Sequence, residues 1–132
     1  MNTVLAIIAL MTILNARTDV TVIHGKYNLT AKDKLLLTFH HFVILFMILG
    51  VFFKSRRLVR IHLGVVIAAL ICWFMFGNSC FLADWQRNSI RYTDEDLQII
   101  HKSRGTQVFE FFSIVIPLLV IDVLKLRHLL LF

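Results

Sequence analysis

LLLTFHHFVILFMILGVFF (residues 35–53), KSRRLVR (54–60) and IHLGVVIAALICWFMFGNSCFLA (61–83) follow one another without a break, and their reading decides the fold. The first run holds 19 residues without a formal charge. As a helix it is about 28 Å long, close to the ~30 Å hydrocarbon core of a bilayer. A helix on a soluble core needs one apolar stripe, so an apolar circumference over this length points to lipid. The two runs and their basic connector predict a transmembrane hairpin.

Composition carries the same message outward to the whole chain. Over 132 residues, 58% are apolar and the mean hydropathy is +0.79, which excludes a soluble globule and predicts a single membrane domain over residues 1–132. Two cysteines are too few for a disulfide framework. The net charge of +6 lies in the connectors rather than in a stripe interleaved with aromatics. Anionic lipid headgroups are therefore the expected partner, and nucleic acid is not.

The expected fold is all-α: an integral membrane bundle of about four transmembrane helices, the first one short, plus one short amphipathic interfacial helix. The first helix is expected over residues 2–16. No Lys or Arg precedes it, and Leu14-Asn15-Ala16 makes a poor cleavage site, so it reads as an uncleaved helix rather than a signal peptide. The β-branched Thr18-Asp19-Val20-Thr21-Val22-Ile23 predicts an extended connector leading to a turn at His24-Gly25. Thr30-Ala31-Lys32-Asp33 is a capping-box variant that opens a second helix over 31–53. A third helix is expected over 58–83. Thr93-Asp94-Glu95-Asp96 predicts the start of the interfacial helix, 94–104, and the last span is expected over 108–128, with Pro117 unable to donate to the carbonyl of Ser113.

Lys54, Arg56, Arg57 and Arg60 crowd the short connector, and Lys125 and Arg127 follow the last apolar run. Basic density in short loops marks the cytoplasmic or equivalent inner side, so a multi-pass topology with both termini inside is expected, with these residues facing lipid headgroups. Asp122, three residues before Lys125 and at the depth of Arg56, Arg57 and Arg60, is expected to join them in a ring of salt bridges closing the bundle, and His62 to lie at the interface. Gly64, Ala68 and Cys72 recur every fourth residue. They form one small-residue face suited to close helix packing, within the chain or against a partner.

Ionisable groups in a membrane are costly and normally pair or serve a pathway. His40 and His41 early in the second helix, Asn78 and Cys80 late in the third, and Glu110 and Ser113 early in the fourth fall at similar depth in the expected topology. A Glu110–His41 pair is the sharpest version of such a polar layer, able to relay a proton or hold a ligand. The plainer alternative is that these groups only join helices. No metal, cofactor or catalytic residue set is implied by any motif: there is no Gly-x-Ser-x-Gly, His-Glu-x-x-His, Cys-x-x-Cys or phosphate-binding loop.

His40 or His41, Gly50, His62-Leu63, Trp73, Gly77 and Cys80 form a pattern that resembles a family of small, uncharacterised bacterial integral membrane proteins with four predicted helices. The chain departs from that pattern at Cys80-Phe81-Leu82-Ala83, where the family has Cys-Pro-Leu-Thr. The resemblance implies the bundle and brings no activity with it. The function expected from the sequence is that of a non-enzymatic structural or accessory subunit, held against other protein subunits in a virion membrane or capsid or in a multisubunit membrane complex. The alternative is a small transporter, channel or haem- or quinone-binding protein that uses the His/Glu layer.

Overall fold

Thr30 opens the second helix through a reciprocal box. Its Oγ1 accepts from the Asp33 N–H at 3.2 Å, and Asp33 Oδ2 accepts from the Thr30 N–H at 2.9 Å, as the spacing requires. In this computed structural model, which describes residues 3–77, 80–96 and 104–130, helix α2 is Ala31–Leu49 and tightens into a 3-10 turn at Gly50–Phe52. Around it stand α1 (Thr3–Lys26), α3 (Arg56–Met75), the short α4 (Phe81–Ile90) and α5 (Arg104–Leu130). No strand occurs among the described residues. Among the described residues three segments, α1, α2 with its 3-10 turn, and α3, are long and apolar enough to cross a membrane.

Two element boundaries differ from the sequence expectation. The β-branched stretch 18–23 is not an extended connector: α1 continues through it, and through His24-Gly25, to Lys26. Thr12, Thr18 and Thr21 each donate their hydroxyl to the carbonyl four residues back, at 2.7, 3.0 and 2.7 Å, so the helix itself takes up their polar groups. Val20 and Ile23 then pack on a core of Leu29, Leu37 and Ile90. That burial outweighs the small intrinsic preference for strand.

The third helix does not reach Ala83. It ends at Met75, and Gly77 follows at φ +66°, a left-handed conformation that costs about 1–2 kcal/mol for a residue with a β-carbon. The chain re-enters a helix at Phe81, capped by Cys80, and ends it at Arg91 with φ 53°. The amphipathic helix beside the bundle is thus Phe81–Ile90. Residues 94–96 of the expected interfacial helix are helical, and 97–103 lie outside the described residues.

Packing falls into three levels. At one end Ile8, Phe46, Phe53 and Val59 form a core, joined by Val4, Leu58 and Leu126. This gathers the start of α1, the end of α2, the start of α3 and the end of α5 at the same end as the Lys54–Arg60 connector. In the middle Met47, Val66 and Val115 meet, and Trp73 stacks on Phe111 with centroids 3.9 Å apart. Such a pair contributes about 0.5–1.5 kcal/mol. At the other end the Leu29–Leu37–Ile90 core holds α4 against α1 and α2.

Candidate functional sites at the two ends of the bundle

The helix α2 leaves carbonyls without intrahelical donors where it tightens at Gly50. Two side chains from other helices supply the donors. His62, at the second turn of α3, places Nε2 at 2.8 Å from the Met47 carbonyl oxygen. Lys125 of α5 donates to the carbonyls of Val51 and Phe53, the latter at 3.3 Å. Cations and N–H donors at a helix C-terminus also meet the negative end of its dipole.

His62 is fully buried, as is Asp122, and Nδ1 lies 2.6 Å from Asp122 Oδ2. A carbonyl only accepts, so Nε2 carries its hydrogen. One further proton then lies between Nδ1 and the carboxylate, and wherever it resides the pair is neutral in sum. A neutral pair is the form in which a membrane interior tolerates two ionisable groups. Asp122 Oδ1 is buried with no hydrogen-bond partner among the described residues.

This corrects two expectations. His62 is not interfacial, and Asp122 forms no ring with Arg56, Arg57 and Arg60. Those arginines, Lys54 and Arg127 are exposed around the end of the bundle, whereas Lys125 is partly buried over α2. The reason is geometric: Gly50 has no side chain, and the His62 ring fills that space. A β-carbon built on Gly50 would lie 2.6 Å from His62 Nε2 and nearer still to Cδ2. Sequence reasoning had the signals, a glycine and a histidine flanking the connector and a lone acid in the last apolar run, but no way to see that they meet.

At the opposite end the expected layer does not assemble as drawn. His41 Nε2 lies 2.7 Å from Asp19 Oδ2 of α1, so its partner is Asp19 and not Glu110. Extending α1 to Lys26 brings Asp19 alongside His41, which an extended connector could not do. Glu110 is exposed on α5, and the Ser113 hydroxyl donates to the Glu110 carbonyl at 2.9 Å. Asn78 lies outside the described residues. His40 faces α4: Nδ1 is 3.4 Å from Gln86 Oε1 and Nε2 is 3.6 Å from Cys80 Sγ. Gln86 in turn donates through Nε2 to the Tyr92 hydroxyl at 3.2 Å.

Further contacts pin α4 and the segment behind it. Ser89 donates to Asp33. The Tyr27 and Tyr92 rings meet edge to face at 5.1 Å. Lys26 pairs with Asp96 at 2.7 Å, and the Tyr27 hydroxyl donates to the same carboxylate. These donors, Lys26 first and Tyr27 second, hold the Asp96 carboxyl below its ordinary range. Burial, the largest influence, pushes the Tyr92 phenol up. Among the described residues no group of three or more His, Cys, Asp or Glu side chains is placed to hold a metal ion.

A family model described as Protein of Unknown function (DUF2784) matches residues 30–100, just over half of the chain. The chain belongs to the DUF2784 family. No curated protein and no solved structure matches it. The DUF2784 segment contains His40, Gly50, His62, Trp73, Gly77 and Cys80, and each has a definite structural part: Gly50 admits His62, His40 meets Cys80, Trp73 stacks on Phe111, and Gly77 turns the chain between α3 and α4. Asp122 and Lys125, which complete the cluster around His62, lie beyond the matched residues.

Gly64, Ala68 and Cys72 lie together on the exposed side of α3, away from Val66 and Trp73. Beyond its chain neighbours and the backbone of α3 itself, no described atom comes within 4 Å of a β-carbon built on Gly64. The small-residue face is therefore left open by the described residues of its own chain.

Proposed function

We propose that this protein is a non-enzymatic structural or accessory subunit of a larger assembly, a four-span membrane bundle that docks through the Gly64–Ala68–Cys72 face of α3. The observation that carries the reading is that this face is open while the other side of α3 is packed on α5. Association of helices in lipid depends on close van der Waals approach, which small residues permit and larger ones prevent. The ionisable groups of the apolar runs also serve the bundle itself: the buried His62 and Asp122 bind one another, and the part-buried His41 binds Asp19.

A transporter, channel or haem- or quinone-binding role at the other end draws less support, because Glu110 stands apart from both histidines. In the proposed topology both termini and the exposed Lys54, Arg56, Arg57, Arg60 and Arg127 face the inner leaflet and its anionic headgroups. α5, with Glu110 and Asp122 in its apolar run, is the fourth span. The partners are other protein subunits, of a virion or of a multisubunit membrane complex, and nucleic acid is not among them.

Purification from its native membrane in mild detergent, followed by mass spectrometry, tests the assignment. The expected result is a stoichiometric protein partner that is lost in Gly64→Leu and Ala68→Leu variants and retained when Ile67, on a different side of α3, is changed to Leu. A monodisperse monomer carrying haem or quinone would overturn it.

A further inference from the structure

The geometry points to Cys80 as a nucleophile that accepts an acyl group from a long-chain acyl thioester, with His40 as its base and Gln86 as the residue that positions the base. Three elements converge to make the arrangement. Cys80 is the N-cap of α4, His40 projects from α2, and Gln86 lies further along α4. Gln86 donates through Nε2 to Tyr92, which turns Oε1 toward His40. The His40 Nδ1–H therefore donates to Gln86, and the Nε2 lone pair is left facing the Cys80 thiol at 3.6 Å. Nucleophile, base and orienting acceptor in sequence is the minimum required for an activated thiol.

Three surroundings suit an acyl thioester. Cys80 is half-exposed and free of any disulfide, so a substrate can reach it. The Cys80 side chain makes no capping hydrogen bond to α4, so the first-turn backbone N–H groups of the helix it opens are on hand to meet a developing oxyanion. Phe81 and Trp85 of α4, with Phe76 at the end of α3, form an exposed aromatic edge beside it, with successive centroids 4.9 and 5.6 Å apart. Aromatic edges of this kind sit at the headgroup level. An acyl chain could lie in the hydrocarbon beside them while its thioester stays in water.

The step balances without a further reagent. The Cys80 S–H proton passes to His40 Nε2, and Sγ bonds to the acyl carbonyl carbon. The bond from that carbon to the donor sulfur breaks, its electron pair leaves with the donor, and the donor thiolate takes the proton from His40. One thioester is exchanged for another. Cys72, on the open face of α3 with no hydrogen bond to any described side chain, has no such base.

The test uses the purified full chain in detergent micelles incubated with hexadecanoyl-coenzyme A, read by intact mass and peptide mapping. The expected product is one hydroxylamine-labile acyl group on Cys80, present in Cys72→Ser and absent in Cys80→Ser. His40→Gln should slow the reaction about 100-fold or more, the usual contribution of a general base. Gln86→Leu should slow it, and Gln86→Glu, which keeps an acceptor for Nδ1–H, should restore it. Equal acylation of Cys72 and Cys80 would overturn the proposal, as would an undiminished rate in a folded His40→Gln variant. Should that variant elute as an aggregate, the comparison of the two single-cysteine proteins decides by itself. The outcome is independent of how the α3 face is covered, since Cys80 meets His40 of α2 at the start of α4 and is no part of that face.

Discussion

The two ends of this bundle handle histidine in opposite ways. At the connector end His62 is sealed between α2, α3 and α5, with both ring nitrogens bonded to buried partners. At the α4 end His40 and His41 are only part-buried, and so are their partners: a half-exposed cysteine, a glutamine on a ten-residue helix, and a half-exposed Asp19 of α1. A sealed pair resists change because loss of one member strands the other in low dielectric. A half-open one exchanges partners and protons with water. The first kind of site builds a fold, and the second is where chemistry is accessible.

Substitutions that break this contrast should differ in size. The largest effect is expected for His62→Ala, which leaves the Asp122 carboxylate buried without its partner and should lower stability by about 3–5 kcal/mol, measured by denaturant unfolding in micelles. Removing both, in His62→Ala with Asp122→Ala, should recover part of the loss. A double variant no better than the single one would mean that the two groups do not act as a pair. His41→Ala, by contrast, should cost far less, since Asp19 remains hydrated.

Gly50→Ala should come next, at about 1–3 kcal/mol, the usual cost of overpacking a filled site. The new methyl must displace the His62 ring. Its cost should largely vanish in a His62→Ala background, and an unchanged cost there would show that Gly50 is required for another reason.

The smallest effect sharpens the comparison at the open end. The Asp96 carboxyl is held below its ordinary value, so the Lys26–Asp96–Tyr27 clip contributes stability above the unfolded carboxylate range and loses it as the pH falls through the lower folded value. Acidifying below about pH 4 should raise hydrogen exchange in residues 92–96 while leaving the His62 region protected. Asp96→Asn should show the raised exchange already at neutral pH.

Sequence was enough for the apolar hairpin, the capping box at Thr30 and the gathering of basic residues at one end, because each depends on neighbours within a few positions. Hydrophobic length is a local property, and so is a reciprocal bond between Thr30 and Asp33. Other features were decided by tertiary structure. Thr18–Ile23 has strand-like composition yet folds as helix because Val20 and Ile23 gain a core with Ile90, far along the chain. Gly77 offered a stop signal that an unbroken apolar reading of Ile61–Ala83 passed over.

The candidate sites follow the same division. The residue types that matter, His40, His62, Cys80 and Asp122, stood out by themselves as polar groups in apolar surroundings. Their pairing did not, since Asp122 is sixty residues from His62 and Cys80 forty from His40. Gln86 and Asp19 drew no notice because a glutamine or an aspartate in a polar stretch carries no local signal. Sequence alone determined that this chain belongs in lipid and which of its side chains lipid would not accept bare. Only the packing of α3 and α5 on the end of α2, and of α4 on its beginning, decided which partner each of them found.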